Sequence, residues 1–326
     1  MNAAPLRAPA ASAALAVLAV LTAGASSACD GAAPPAHTGG EPGSSGAGPA
    51  AGGARGVVPL SFEAKKSGSK PFPFAFVDGK VGDQPTRFLI DTGAGVHAID
   101  ASVAAAAKVG APADAAVITI DGWGALPRHA VAVRELPPSI RAHGIGGVIA
   151  PQLLAEGGQA VVVDFINQKM RMSPKSTAWS AMDDVGTLLT PPAQRRPCAS
   201  DADGIAGVGL AVDGAVDGEP MHLSIDSGAS RTMLAEGSKG AAKATAHPVL
   251  GRSVAASASA DVATSIYGGV PFTVGAWSST VDVGVTAPNR QPQCGAEGRL
   301  GMDVLQQCAL AMTAEEFLVA CRAPGR

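Results

Sequence analysis

The chain has 326 residues, a formal net charge of −3 and 47% hydrophobic residues, many of them alanine. This charge gives no general reason to expect nucleic-acid binding, and we expect none. The 41 glycines and 25 prolines indicate many turns, which favours an all-β fold over long helices. Without a leader and a low-complexity stretch that ends near residue 56, about 270 residues remain, enough for two lobes with sizeable cores.

Residues 1–28 have the pattern of an export signal peptide. Arg7 supplies a positive charge, and residues 11–24 form an apolar, alanine-rich segment that is too short for a good membrane span. Small residues then offer a cleavage site before Cys29, which resembles the lipidated cysteine of a bacterial lipobox, although Ser26 stands where a leucine is usual. The sequence therefore predicts an exported protein of the bacterial cell envelope (periplasmic, or an outer-membrane lipoprotein anchored through Cys29) or a secreted one.

Residues 29–56 consist mostly of glycine, alanine, proline and serine. Such a segment cannot bury enough apolar surface to become ordered, so it is predicted to be a flexible low-complexity tether. A pro-region or a simple linker would have the same composition. A tether that directly follows Cys29 fits an anchored protein.

The chain then contains the same pattern twice, without a gap, at a constant offset of 135 residues (226 − 91 = 135). The first copy spans residues 77–94 and the second spans residues 212–229. Each copy has an Asp-Gly dipeptide between short apolar runs, which is a signal for a two-residue hairpin turn. We therefore expect tight turns at Asp78-Gly79 and at Asp213-Gly214.

In both copies an apolar strand runs into an acidic loop. Residues 87–90 precede Asp91-Thr92-Gly93-Ala94, and residues 221–225 precede Asp226-Ser227-Gly228-Ala229. The glycine lets the backbone turn sharply and leaves space beside the carboxylate. One chain thus carries two aspartates in matching positions, which would supply a carboxylate pair without dimerisation.

The middle of each copy is predicted to form a further hairpin. Residues 117–120 and 130–133 would pair around a glycine-rich tip, and Tyr267 lies before the second copy's strand at residues 272–274. These segments are candidate flaps that fold over a cleft, and the alternative is ordinary hairpin tips. The candidate flap residues are Gly122, Trp123, Gly124 and Tyr267.

Each copy closes on a similar element. Residues 147–154 lead to a strand at 161–165, and residues 298–305 lead to a strand at 308–312. Four prolines mark residues 174–200 as the connection between the copies. We therefore expect an N-terminal lobe over residues 57–190 and a C-terminal lobe over residues 191–326.

Four cysteines remain after Cys29, and all lie in the second half of the chain. In an exported protein an even number of cysteines suggests disulfides. A turn near residues 314–315 would place Cys308 opposite Cys321 across a hairpin, which leaves Cys198 and Cys294 as the other pair. Zinc is the competing interpretation, but the spacings fit no common zinc pattern, and we predict no metal site.

Other hydrolytic chemistries have little support in the sequence. None of the six histidines forms His-Glu-x-x-His, and no Gly-x-Ser-x-Gly is present, which argues against a zinc peptidase and a serine hydrolase. His97 lies close to the Asp91 loop. The structural interpretation of His97 is favoured over a place at the edge of a cleft.

Through these two repeats, the chain resembles the pepsin/retropepsin superfamily of aspartic peptidases over roughly residues 57–326. In that superfamily an apolar-apolar-Gly element threads beneath each acidic loop, and Leu300-Gly301 matches it in the second lobe. The chain departs from the pattern at two positions. Ala150 stands where glycine is usual, and Arg299 stands at a normally apolar position. We expect neither residue to contact the acidic loops directly.

The resemblance implies an all-β, bilobal acid-protease fold, with two β-barrel lobes related by a pseudo-twofold axis and a cleft between them. Asp91 and Asp226 would face each other as a catalytic dyad that shares a proton and activates a water molecule. Thr92 and Ser227 would link the two loops by hydroxyl-to-backbone hydrogen bonds, and Gly93 would turn the first loop as Gly228 turns the second. The implied activity is that of an aspartic-type endopeptidase.

The same resemblance implies no metal or organic cofactor, an extended polypeptide as the substrate, and a monomer. Pepsin-like enzymes often carry a serine or threonine after the loop glycine, whose hydroxyl stabilises the charged carboxylate. Ala94 and Ala229 lack that hydroxyl. We therefore expect a weakly acidic rather than a strongly acidic pH optimum.

Two rival functions fit parts of the sequence. A protein of this fold without catalysis would still bind an extended peptide by strand addition. A structural or adhesive surface lipoprotein would explain the tether, but it would give no purpose to the paired loops. The presence of both aspartates, both hydroxyl neighbours and both glycines favours the peptidase.

Overall fold

The computed structural model describes residues 56–62, 73–189, 193–198, 207–255, 262–286 and 295–322. The predicted signal peptide, Cys29, the tether through residue 55 and Cys294 lie outside these residues. The side chain of Cys198 also lies outside the described part, so its predicted disulfide with Cys294 stays a prediction.

Strands dominate the described residues, and the helices are short. The helices are α1 Ala101–Ala106, α2 Pro138–Arg141, α3 Lys175–Val185, α4 Lys239–Ala244 and α5 Met302–Leu305, and the two 3-10 helices are Ala115–Val117 and Pro151–Leu154. None of the described helices is long and apolar enough to cross a membrane. The strands of the first half are β1 Val58–Pro59, β2 Phe76–Val81, β3 Gln84–Ile90, β4 His97–Asp100, β5 Ala113–Asp114, β6 Ile118–Ile120, β7 Gly124–Ala125, β8 Ala130–Arg134, β9 Ile145–Ile149, β10 Gln159–Asp164, β11 Lys169–Pro174 and β12 Thr187–Leu188. Those of the second half are β13 Ala193–Gln194, β14 Arg196–Cys198, β15 Gly207–Gly209, β16 Ala211–Val216, β17 Glu219–Ile225, β18 Met233–Ala235, β19 Val249–Ala255, β20 Val262–Val274, β21 Trp277–Thr286, β22 Gly298–Leu300, β23 Cys308–Met312 and β24 Glu316–Cys321.

Each repeat forms its own sheet. In both sheets the closing strand, β9 or β22, lies between the two strands that flank the acidic loop. In the first sheet the order is β5-β8-β4-β9-β3-β2-β6-β7, and in the second it is β16-β17-β22-β18-β21-β20-β19. β9 runs parallel to β3 and antiparallel to β4. β22 does the same with β17 and β18. The apolar strand that ends at each acidic loop is therefore held on one side by the later, closing element, as the resemblance implies.

The Asp-Gly dipeptides do not form the hairpin turns that the sequence predicted. They lie inside β2 and β16, and the turns come later, at Gly82-Asp83 and Asp217-Gly218. At Gly79 a Cβ atom would lie 2.1 Å from the Thr119 carbonyl oxygen, and at Gly214 it would lie 2.7 Å from the Thr273 carbonyl oxygen. A third strand, β6 or β20, pairs at this point in each copy. The glycines therefore serve the close approach of that strand rather than a turn.

The middle of the first repeat also differs from the prediction. Residues 118–120 and 130–133 do not pair with each other: β6 pairs with β2 and β7, whereas β8 pairs with β4 and β5. In the second repeat one 13-residue strand, β20, pairs with both β19 and β21 and reaches β16. That last pairing closes the second sheet into a barrel, whereas the described pairings leave the first sheet open.

A third sheet joins the two halves of the chain. Its order is β1-β11-β10-β23-β24-β12, and β10 of the first half pairs with β23 of the second through four residue pairs from Val161↔Met312 to Asp164↔Ala309. Helix α3, which the sequence did not predict within the proline-containing connection, packs against this sheet through Ala178 and Met182. Cys308 and Cys321 are directly paired across β23 and β24 and form the predicted disulfide.

Candidate active site

Each acidic loop is bound in the same way to the last residue of its closing strand. The Asp91 N–H group donates to the Ile149 carbonyl oxygen (2.9 Å), and the Asp226 N–H group donates to the Leu300 carbonyl oxygen (3.0 Å). Ile149 and Leu300 end the closing strands β9 and β22. Each aspartate therefore starts its loop at a fixed point of its own sheet.

Hydroxyl groups connect the two loops across the halves of the chain. The Thr92 hydroxyl donates to the Ile225 carbonyl oxygen (3.0 Å) and accepts from the Ser227 N–H group (3.0 Å). The Ser227 hydroxyl donates to the Ile90 carbonyl oxygen (2.9 Å) and accepts from the Thr92 N–H group (3.0 Å). Both side chains are buried, so these reciprocal bonds satisfy four backbone groups that water does not reach. They fix the loops face to face, as the resemblance implied.

Each loop glycine lies against the aspartate of the other loop. A Cβ atom at Gly93 would lie 2.3 Å from Asp226 Oδ1, and one at Gly228 would lie 2.3 Å from Asp91 Oδ2. A side chain at either position would therefore displace a carboxylate. This close approach gives the glycines a purpose beyond the turn.

Three backbone N–H groups converge on one oxygen of Asp91. Gly93 (2.8 Å), Ala94 (3.1 Å) and Gly228 (3.1 Å) all donate to Oδ1. The donor at Gly228 belongs to the other half of the chain, so both loops orient the Asp91 carboxyl group.

Burial raises the pKa of Asp91 from its ordinary value of 3.8 to about 8. The nearby charge of Asp226 and the hydrogen bond between the two side chains add to the increase, and the Gly93 and Ala94 N–H groups oppose it. Asp91 is therefore protonated at neutral pH. A protonated carboxyl beside a second carboxylate is the arrangement that a shared proton requires.

Arg299 contacts the acidic loop, and the expectation that it would not was wrong. Its Nη1 lies 2.9 Å from Asp226 Oδ2, and the side chains are 15% and 10% exposed, respectively. Arg299 is the central residue of β22, opposite Ser224 of β17, which places its side chain two residues from Asp226 along the neighbouring strand. Its Nε is buried with no hydrogen-bond partner in the described part of the chain.

The N–H group of Ala150 shows what supports the first loop. It donates to His97 Nδ1 (3.1 Å). The equivalent N–H group of Gly301 donates to the Thr232 hydroxyl (3.2 Å). Burial lowers the pKa of His97 to about 3, so the ring stays neutral and Nδ1 can accept. The structural interpretation of His97 is confirmed.

Glycine is needed at position 301 but not at 150. A Cβ atom at Gly301 would lie 2.3 Å from the backbone carbonyl carbon of Arg231. Ala150 is fully buried and carries its methyl group in the core. The departure from the family pattern at Ala150 is therefore absorbed by the packing of the first lobe.

Gln152 supports the site and was missed by the sequence analysis. Its Nε2 donates to the carbonyl oxygens of Ala94 (2.6 Å) and Val208 (3.0 Å), and the side chain is fully buried. It thereby connects the first loop to β15 of the second half. Two residues beyond Gly301, Asp303 has a related position and accepts from the Thr232 N–H and hydroxyl groups. This match between the closing elements was the signal available in the sequence.

The candidate flap residues lie in two different settings. Gly122 and Trp123 are in the turn between β6 and β7, but the Trp123 side chain is buried in the core. This corrects its interpretation as a flap residue, because a core side chain cannot close over a cleft. Tyr267 lies within β20 beside a bulge, rather than at the end of a hairpin. No group of three or more potential metal ligands occurs among the described residues.

Comparisons with known proteins bear on the first repeat. Residues 77–153, which contain Asp91 and the closing element, match the family model described as aspartyl protease. No curated protein matches the chain.

Two solved structures resemble the chain at low sequence identity. An aspartic proteinase from Irpex lacteus is 11% identical, with 82% of this chain and 97% of that chain covered and a TM-score of 0.41. Basic 7S globulin from soybean is 10% identical, with 81% and 94% covered and a TM-score of 0.38. The fold is established by the two repeated sheets, in each of which the closing strand runs parallel to the strand that precedes the acidic loop. The family match to the first repeat and the recurrence of its loop and closing strand in the second repeat confirm the predicted resemblance to the pepsin-like aspartic peptidases.

Proposed function

We propose that the chain is an aspartic endopeptidase whose catalytic dyad is Asp91 and Asp226. The observation that carries the proposal is the pair of acidic loops, fixed face to face by the reciprocal hydrogen bonds of Thr92 and Ser227. The close approach of each carboxyl group to the glycine of the other loop supports a shared proton, and so does the pKa of Asp91, which burial and the charge of Asp226 raise.

In the proposed reaction, the ionised member of the dyad removes a proton from a water molecule, which attacks the carbonyl carbon of the scissile peptide bond. The protonated member gives its proton to the carbonyl oxygen, so the carbonyl carbon becomes a tetrahedral gem-diol. The proton taken from water then moves to the leaving nitrogen as the C–N bond breaks, and a gem-diol hydroxyl returns a proton to the other carboxylate, which restores the singly protonated dyad. The reaction consumes one water molecule and produces a carboxyl and an amino terminus.

The substrate that this proposal implies is an extended polypeptide, and the protein acts as a monomer because one chain supplies both carboxylates. The test is incubation of the mature protein with an unstructured peptide library between pH 4 and 8. We expect cleavage that is lost in Asp91→Asn and in Asp226→Asn and is retained in Asp183→Asn, an exposed position on helix α3. Cleavage that survives both dyad substitutions would overturn the assignment.

Peptide binding without cleavage is the second candidate function. The ion pair between Arg299 and Asp226 favours it, because it occupies an oxygen that a catalytic water would approach. The same library separates the two functions. Saturable peptide binding that is unaffected by Asp91→Asn, with no cleavage from pH 4 to 8, would establish the binding function.

We further propose export and lipid anchoring through Cys29, on the basis of the leader and tether sequences alone. Cells that express the full chain should incorporate labelled palmitate into the wild type and not into Cys29→Ser. An unlabelled protein found in the medium would favour ordinary secretion.

A further inference from the structure

The environment of the two aspartates is asymmetric, although the loops that carry them are duplicated. Next to Asp226, the closing strand β22 contributes Arg299, whose Nη1 lies 2.9 Å from Asp226 Oδ2. At the equivalent place in the first half, β9 contributes the apolar Val148, which is buried. Asp91 is instead bound by three backbone N–H groups, which carry no net charge.

We propose that Arg299 is a positioning residue that fixes the roles within the dyad. It holds Asp226 as the carboxylate that activates water and leaves Asp91 as the partner that carries the proton. This inference rests on the proposed peptidase function and assigns the two roles that a symmetric dyad would leave interchangeable.

The first reason is the charge balance of the buried site. Two carboxylates with one shared proton have a charge of −1, and the guanidinium group brings the total to zero. A buried cluster without net charge costs the least desolvation energy, so Arg299 makes the singly protonated dyad the favoured state. Without Arg299, the uncharged state would be the doubly protonated dyad, which has no base to activate water.

The second reason is the location of the cation. Arg299 bonds to Asp226 and to no oxygen of Asp91 in the described contacts. Charge stabilisation by an arginine is strongest for the carboxylate that it contacts, so the negative charge is assigned to Asp226 and the proton to Asp91. The high pKa of Asp91, about 8, agrees with this assignment.

The other titratable groups near the dyad do not compete for this role. His97, on β4, is neutral because burial lowers its pKa to about 3. Asp303, at the start of α5, accepts from Thr232, and burial raises its pKa. Arg231 directs Nη1 to the Asp282 carbonyl oxygen. Arg299 is thus the cation that the described contacts place on the dyad.

The test compares the wild type with Arg299→Met, Arg299→Gln and Arg299→Lys. An exposed arginine on β19 supplies the charge-matched control, Arg252→Met. The first measurement is the pH–rate profile for peptide cleavage. We expect both neutral variants to move its acid limb upward by about 1–3 pH units, the usual effect of a cation on a neighbouring carboxyl group. Arg299→Lys should keep the wild-type acid limb, and so should Arg252→Met.

The second measurement does not require activity. In protein labelled with ¹³C at the aspartate carboxyl carbons, with Asp91→Asn used for assignment, the dyad should hold one proton at pH 5 in the wild type and two in Arg299→Met. An unchanged proton count would overturn the inference, as would higher activity in Arg299→Met at an unchanged acid limb, since the ion pair would then be inhibitory. If the wild type cleaves nothing but the proton count changes as expected, the peptidase function fails, while the assignment of charge within the pair stands.

Discussion

Replacement of Asp91 by asparagine should make the protein more stable at neutral pH while it abolishes cleavage. The pKa of Asp91 is 3.8 in an unfolded chain and about 8 in the folded protein. Between these values the folded state keeps a proton that the unfolded state releases. The free energy of unfolding is therefore undiminished by this group below about pH 4 and falls as the pH rises toward 8. Each pKa unit corresponds to about 1.36 kcal/mol, so this group alone costs about 5 kcal/mol of unfolding free energy by pH 8.

Asparagine resembles the protonated acid. Its oxygen can accept from the Gly93, Ala94 and Gly228 N–H groups, and its amide can donate toward Asp226. We therefore expect Asp91→Asn to match the wild type at pH 4 and to exceed its unfolding free energy by several kcal/mol at pH 8. Urea unfolding at pH 4, 6 and 8 measures the difference, and Asp183→Asn should follow the wild type throughout. Parallel curves for the wild type and Asp91→Asn would refute the reasoning, because they would show that Asp91 has no raised pKa.

Three further variants, the last of them a double substitution, test the framework of the site and of the fold. Ser227→Ala leaves the Thr92 N–H group buried without an acceptor, so it should lower the unfolding free energy by about 1–3 kcal/mol and reduce the cleavage rate. The control Ser224→Ala loses one hydrogen bond within its own lobe and should keep the cleavage rate. Gly228→Ala should abolish cleavage, because its Cβ atom would lie 2.3 Å from Asp91 Oδ2. Gly110→Ala is the control, since a Cβ atom there would meet open space. An active Gly228→Ala variant would contradict the close approach of the two loops. Removal of the disulfide by Cys308→Ala with Cys321→Ala should lower the unfolding free energy by about 3 kcal/mol for a loop of this length, and should lower the thermal midpoint with it. An unchanged midpoint in calorimetry would show that the disulfide does not stabilise the fold.

The duplicated loops could be predicted because their chemistry is local. An apolar strand, an aspartate, a hydroxyl residue and a glycine lie within a few positions of one another, and the constant offset indicates that both copies occupy the same structural place. The roles of Thr92 and Ser227 followed from the resemblance, and their bonds cross between the copies. The disulfide was also local, since Cys308 and Cys321 flank a single hairpin.

Several incorrect predictions depended on strand pairing with distant parts of the chain. Asp78-Gly79 has the sequence of a turn, but β6 pairs there and extends the strand through it. The contact of Arg299 with Asp226 depends on the register of β22 against β17, which is set by chain far from either residue. Gln152 bridges the first loop and β15, and its match in position to Asp303 indicates an equivalent place but not this contact across the two halves of the chain. In each case tertiary pairing decided an outcome that local propensity could not.

The sheet that joins the two halves has a consequence for how such a molecule can be divided. β10 and β23 follow the closing elements of their own repeats, so the antiparallel pairing between them joins two equivalent edges, as in an isologous contact between two subunits. A fragment that contains one repeat would expose that edge to solvent, together with half of an acid pair. Two such fragments, produced as separate polypeptides, would present complementary surfaces, and the edge that holds this single chain together would become an interface for assembly.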